Sequence, residues 1–222
     1  MTGELNDTNL QGQKLGKKGR ITRERIVVAA RELIEDPDCE FSLSAVARHT
    51  GLRMSSIYTY FSDLPDLFLA VLEPVAEEAE EAYLHLLRTR WDDDAIDSCS
   101  TELVSAFHDY WERHSRLLHL RNRLADQHEK RVLLQRIAMA RVIVRLLGWQ
   151  MGGEPETVTG SPYDLASVLY TGLERVVTIA TDIELKSHYP ADIKPRFEGA
   201  TLRQQSRLLA LAIRDERAAD SR

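Results

Sequence analysis

The sequence predicts an all-α chain made of an N-terminal three-helix head and a larger C-terminal helical body. Three observations predict it. Apolar residues recur at intervals of three and four in one segment after another, the spacing of a buried helical stripe. Residues 42–61, SLSAVARHTGLRMSSIYTYF, hold two short stripes split by Gly51. Charge is divided between the two parts, with a local net of +5 over residues 17–31 against −7 from residue 63 onward, where 20 basic residues face 27 acidic ones.

Residues 1–19 are polar, carry Gly3, Gly12, Gly16 and Gly19, and show no periodicity, which predicts a flexible basic arm. Thr22 is the expected cap of a first helix to Asp36, with Ile26, Ala30, Leu33 and Ile34 as its stripe and Pro37 as its stop. Ser42 caps the second helix, because its hydroxyl can satisfy a free backbone N–H of the first turn. Leu43, Val46 and Ala47 form the buried side of that helix. Gly51 marks the turn, where only glycine takes a positive φ without steric cost. Ile57 and Phe61 carry the third helix inward and leave Arg53, Ser55, Ser56, Thr59 and Tyr60 outward. A short basic, hydroxyl-rich helix set across a tight turn from a supporting helix is how a helix-turn-helix reads a DNA major groove. Arginine bonds guanine edges or phosphates, and the hydroxyls bond phosphates. Lys17, Lys18 and Arg20 supply charge for the backbone or the minor groove.

A long helix is expected from about Asp63 to Arg90, with Pro65 harmless in its first turn and Pro74 inside it. Residues 92–98, DDDAIDS, carry cap and turn chemistry. Ile96, Cys99, Leu103, Phe107, Tyr110, Trp111 and His114 follow as an unusually aromatic stripe. Ser115 opens another helix to Ala125. Residues 128–151 are apolar nearly all round, which predicts a buried helix, interrupted by Arg136, Arg141 and Arg145 as a solvated strip or as cations facing an acidic small molecule. MGGEPETVTGSP, 151–162, is the clearest loop of the body. A wide stripe then runs from Leu165 to Ile183. Beyond the Pro-bounded HYPADIKP, Leu202, Leu208, Leu209, Ala212 and Ile213 define a last helix that frays from Asp215. The expected divisions are an arm (1–19), a helix-turn-helix domain (20–65), a helical body (66–217) and a tail (218–222).

Composition narrows the function. Hydrophobic residues make up 43% of the 222, enough for a proper core. Cys39 and Cys99 lie far apart with no C-x-x-C spacing, so neither a zinc site nor a disulfide framework is expected, and a reducing cytoplasm suits them. No apolar run approaches the ~20 residues of a membrane span, and the polar start lacks a signal core. No nucleotide-binding, hydrolase, zincin or EF-hand motif is present, so no catalytic residue, cofactor or metal is expected and the chain does not read as an enzyme.

About a quarter of the chain, residues 20 to 72, resembles the DNA-binding domain of the TetR family of transcriptional regulators. The residues that carry the resemblance are Ile26, Ala29 and Ala30, then Phe41-Ser42-Leu43 and Val46-Ala47, then Gly51-Leu52, Ser55-Ser56-Ile57-Tyr58, Tyr60-Phe61 and Leu67. Two positions depart from the family pattern: Arg53 stands where the recognition helix usually opens with Ser or Thr, and Leu64-Pro65 where the fourth helix often begins with a Lys. The resemblance implies a homodimer reading a pseudo-palindromic duplex operator through Lys17, Lys18, Arg20, Ser42, Arg53, Ser55, Ser56, Tyr58, Thr59 and Tyr60. It implies a body that binds a small-molecule effector, with Phe107, Tyr110, Trp111, His114, Met139 and Trp149 as candidates. The last two long helices would pair with their symmetry mates through Val168, Leu169, Gly172, Val176, Leu208, Leu209 and Ala212. The Leu64-Pro65 departure motivates an alternative, a helical protein-interaction module with a degenerate DNA head.

Overall fold

Helices form where the apolar stripes lie, but tertiary contacts set several of their ends. A computed structural model describes residue 10 and residues 13–154, 159–190 and 199–220. The arm positions 1–9, 11 and 12, loop positions 155–158, the 191–198 part of the Pro-bounded connection and tail positions 221 and 222 lie outside the described residues. Among the described residues the elements are α1 (Lys17–Glu35), α2 (Leu43–Thr50), α3 (Met54–Tyr60), α4 (Leu64–Ala82), a 3-10 turn (Leu84–Leu87), α5 (Ile96–Arg113), α6 (Ser115–Asp126), α7 (Lys130–Gln150), α8 (Ser161–Thr181), α9 (Ile183–His188) and α10 (Thr201–Asp220). The chain is all-α, and none of its described helices is long and apolar enough to cross a membrane.

The chain divides into two compact units. One runs to Ala76 and takes in Glu129–Val132, and the other comprises Glu77–His128 and Leu133–Arg222. In the first unit α1 packs on α2 and α2 on α3. Ile26, Ala30, Val46, Ile57, Leu67 and Phe68 are fully buried and form its core. In the second unit α5 packs against both α8 and α10, which also pack on each other. Its core joins Leu103, Phe107 and Trp111 of α5 to Leu173 and Val177 of α8 and Leu209 and Ile213 of α10.

Several boundaries differ from the sequence expectation. Helix α1 begins at Lys17, not at Thr22, whose hydroxyl donates to the Lys18 carbonyl at 2.9 Å inside the helix. Burial of Leu15 anchors the chain one turn earlier, and Gly19 makes room for it, since a Cβ there would stand 3.0 Å from the Leu15 side chain. Lys17 and Lys18 are therefore helix residues rather than arm residues. Helix α4 passes through Pro74 but stops at Ala82 instead of reaching Arg90. Tyr83 leaves the helical conformation at φ −150° because its ring is buried edge-on against Phe107 at 5.0 Å and Tyr110 at 5.2 Å. Helix α7 is not buried all round, since Leu134 and Ile137 are 53% and 44% exposed. Ile183 does not end α8 but opens α9, where the Asp182 side chain caps the helix by accepting from the Leu185 N–H at 2.8 Å. Helix α10 does not fray at Asp215 but continues to Asp220.

That continuation has a visible cause in a polar staple around Gln150. The Gln150 side chain is fully buried, accepts from the Trp91 N–H at 3.0 Å and donates to the Leu87 and Thr89 carbonyls at 3.1 and 2.7 Å. Arg217 of α10 donates to the Gln150 and Trp91 carbonyls, both at 2.8 Å, and to Asp93 at 2.6 Å. Close packing seals the same end of α7. A Cβ at Gly148 would meet the Tyr163 ring at 2.3 Å, so only glycine lets α8 approach there. Gln150→Leu leaves a buried N–H and two carbonyls without partners, and is expected to cost about 3 kcal/mol in urea unfolding. Arg88→Ala, which removes an exposed pair with Glu80, is expected to cost well under ~1 kcal/mol in the same experiment.

Candidate nucleic-acid interface

The turn between α2 and α3 is closed locally at both ends. Ser42 sits extended before α2, and its Oγ accepts the Ala45 N–H at 3.2 Å. Thr50 ends α2 buried, its hydroxyl donating to the Val46 and Ala47 carbonyls at 2.7 and 3.2 Å. Gly51 takes φ +67°, a left-handed conformation that turns the chain, and the Leu52 N–H then bonds the Ala47 carbonyl at 3.0 Å. Arg53 occupies the cap position of α3 with extended backbone, and its carbonyl accepts from the Ser56 N–H at 2.9 Å. Ile57 and Phe61 anchor α3, at 0% and 1% exposure.

With those two residues inward, the opposite side of α3 faces out. Arg53, Ser55, Tyr58 and Thr59 are exposed, Tyr58 by 50%, while Ser56 and Tyr60 are half-buried. Ser42, named with them from the sequence, is half-buried and engaged as a cap. Lys17, Lys18 and Arg20 are exposed at the start of α1. The Leu10 N–H bonds the Thr59 carbonyl at 3.3 Å, which holds this arm residue beside the end of α3.

The basic cluster of α1 serves two purposes, a split the charge count did not reveal. Arg25 donates from Nη2 to the Thr50 carbonyl and so ties α1 to the end of α2. Arg23 lies over the Phe61 ring at 5.1 Å, and burial pulls its guanidinium below the usual arginine value. Sequence reasoning also missed Arg48. It is exposed on the last turn of α2 and lines an open groove with Ser44, Ala47, Gly51, Leu52 and Met54. Its i+4 relation to Ser44, on the side of α2 away from Val46, was the available signal. At Leu64-Pro65 the chain substitutes a cap for a cation. Asp63 Oδ1 accepts the Asp66 N–H at 2.9 Å, and Asp66 accepts from the Ser62 N–H at 2.8 Å. Asp63 also accepts from Arg131 at 2.9 Å, which lies in the same unit.

The residues singled out in the body fall into two places. Phe107, Tyr110, Trp111 and His114 are buried together, the Phe107 and Trp111 rings 6.2 Å apart and Tyr110 and His114 5.2 Å apart. His114 Nε2 meets Glu78 at 3.0 Å. Met139 is half-buried and reaches Arg121, whose guanidinium covers the Trp111 ring at 5.3 Å. Trp149 is half-buried, and its backbone carbonyl takes a 3.5 Å bond from Arg90 beside the Gln150 staple. Of the helix-pairing residues, Val168 and Leu208 are 68% and 53% exposed, and Leu169, Gly172, Val176 and Ala212 are half-buried. Leu209 instead belongs to the unit's own core at 3% exposure. Among the described residues one group carries metal-ligating atoms within 4.8 Å of one another, His108, Asp109 and Glu112, with both carboxylates exposed.

No protein-family profile and no curated protein matches the sequence. Several solved structures are similar to it, two of them as follows. A TetR-like transcriptional regulator from Rhodococcus sp. RHA1 aligns with a TM-score of 0.55 at 16% identity, over 90% of this chain and 96% of that one. A TetR-family regulator from Streptomyces coelicolor A3 aligns with a TM-score of 0.46 at 20% identity, over 91% and 99%. At 16% identity the Rhodococcus likeness is one of fold, and it gives the chain the all-α TetR-like architecture with its N-terminal helix-turn-helix.

Gly51 gives the sharpest test of the turn. A Cβ at that position would meet nothing within 4 Å, so the cost of Gly51→Ala is conformational alone. It is expected to lower stability by about 1 kcal/mol, and Gly51→Val by more, in denaturant unfolding followed by circular dichroism.

Proposed function

We propose that this chain is a sequence-specific DNA-binding transcriptional regulator, a homodimeric repressor that a small-molecule effector releases from a pseudo-palindromic operator. The observation that carries the reading is the α2–α3 turn. A left-handed Gly51 presents α3 with Arg53, Ser55, Tyr58 and Thr59 exposed, and Lys17, Lys18 and Arg20 at the start of α1 in the same unit are exposed as well. In this reading α3 enters the major groove, Arg53 and Tyr58 reach base edges or phosphates, and Lys17, Lys18, Arg20 and Arg48 neutralise the backbone. Ser42, Ser56 and Tyr60 position α3 and contact phosphate at its margins.

An α3 reader a few residues long gains specificity when two copies address two half-sites, which motivates the dimer. Exposed Val168 on α8, and Leu208 and Leu211 on α10, supply apolar surface for it, flanked by half-buried Leu169, Gly172, Val176 and Ala212. The effector site lies in the body, around Phe107, Tyr110, Trp111, His114 and Met139. The chain works as a regulator without catalysis or cofactor, and in the cytoplasm where duplex DNA is accessible.

Selection of bound duplexes from a random library tests the reading. A palindromic site is expected, and the Arg53→Ala, Tyr58→Ala double variant should bind it at least tenfold more weakly, given ~1–3 kcal/mol for each good base contact. Lys17→Ala should weaken all duplexes alike and reduce the slope of log K against log salt by about one unit. No enrichment by folded protein, even at low salt, would replace this reading with a protein-interaction module. A Val168→Glu, Leu208→Glu variant should sediment as a monomer where the parent chain sediments as a dimer.

A further inference from the structure

Arg121 of α6 is 3% exposed, and its donors are unequally satisfied. Nε and Nη2 donate to Asn122 Oδ1 at 3.1 and 2.9 Å, and Nη2 also donates to Glu174 Oε1 at 3.0 Å. Nη1 reaches only the Met139 thioether, at 3.6 Å, among the described residues. Gln135 of α7 aims its Nε2 at the same sulfur, at 2.9 Å. Two strong donors, one of them charged, thus converge on one weak acceptor.

Two further facts point the same way. Gln135 Oε1 is buried and has no hydrogen-bond partner among the described residues. The charge is also unbalanced. Buried Glu174 serves both Arg121 and half-buried Arg136, which it meets at 2.9 Å. Asp126, the other acidic partner of Arg136 at 3.4 Å, is 75% exposed and largely screened. His119 bonds Thr181 at 3.2 Å, and burial pulls its imidazole below the usual histidine value, so it is neutral at pH 7 and leaves the cation excess unchanged. A desolvated cation with a spare donor is costly unless an anion completes it.

We propose that the Arg121–Gln135–Met139 corner binds the carboxylate of a small organic acid with an apolar body. One carboxylate oxygen takes the place of the Met139 thioether and accepts from Arg121 Nη1 and Gln135 Nε2. Met139 is unbranched and half-buried, so its side chain swings aside without disturbing the backbone. Glu174 keeps Arg121 in place, and the Trp111 ring that the guanidinium covers at 5.3 Å offers the ligand an apolar neighbour. The inference deepens the effector reading by naming the chemical class, and it rests on that reading for its biological meaning.

Titration calorimetry on the full chain without DNA tests it, so its outcome is independent of the duplex selection. Benzoate is the probe and benzamide its uncharged counterpart. Benzoate should bind at least tenfold more tightly than benzamide, and Gln135→Leu should weaken benzoate tenfold or more, as loss of a hydrogen bond to a charged group predicts. Arg121→Gln should abolish the preference for the anion. Should that variant unfold, Gln135→Leu still decides the matter, because Gln135 is half-buried and outside the ion pair. Equal binding of benzoate and benzamide, undiminished binding by Gln135→Leu, or no benzoate heat up to about 10 mM would each overturn the proposal.

Discussion

The carboxylate of Glu174 is the constraint around which the body is arranged. It lies on α8, buried, and draws Arg121 from α6 and Arg136 from α7 to itself. Removing one partner of such a pair leaves a desolvated charge and typically costs ~3–5 kcal/mol, whereas an apolar replacement of the whole cluster is often neutral. The cluster therefore says little about net stability; it joins α6, α7 and α8 through one buried carboxylate. Its surroundings follow from that demand. The Trp111 ring covers the Arg121 guanidinium, Asn122 takes up two of its donors, and Thr181 holds the neighbouring His119. Tyr170, one turn before Glu174 on α8, packs against Phe107 at 6.3 Å and is pushed above the usual tyrosine value by burial in the same region.

The head is organised differently, by backbone geometry instead of charge. Ser42, Thr50 and Gly51 close α2 with bonds that span three or four residues, so the turn needs little help from elsewhere. What it receives is a tie from Arg25 and a lid of Arg23 over Phe61. These two arginines bear the same charge as Lys17 and Lys18, yet they are engaged with a carbonyl and a ring of the protein itself. A basic cluster on a helix thus overstates the charge available to a phosphate backbone, which counts only cations that reach it.

These two modes of organisation explain what the sequence disclosed. The second and third helices were legible because their signals are local. Ser42 caps, Gly51 turns and Ile57 anchors, whatever the rest of the chain does. Boundaries set by distant partners were not legible. Tyr83 breaks α4 because rings more than twenty positions later in the chain bury it, and Arg217 keeps α10 helical through carbonyls at Trp91 and Gln150. Aromatic spacing correctly placed Phe107, Tyr110, Trp111 and His114 on one side of a helix. Periodicity had no means to show that Arg121 and Glu174 lie among them, because both read in the sequence as ordinary charged positions on amphipathic helices.

A ligand that completes Arg121 does not by that fact regulate anything. Regulation requires unequal affinity for two states of the protein, and ~1–3 kcal/mol of difference gives roughly 5- to 150-fold relief. The elements at hand bear on where that difference arises. Gln135, Arg136 and Met139 all belong to α7, so an anion seated against Gln135 lies on the same helix as the Arg136 bond to Glu174. The first residues of α7 cluster with the head unit, where Arg131 pairs with Asp63, the cap of α4. An effector that leaves the Arg136–Glu174 bond intact satisfies the buried guanidinium and shifts nothing. One that binds better once this bond has loosened favours the loosened state, and only that difference in affinity can do regulatory work.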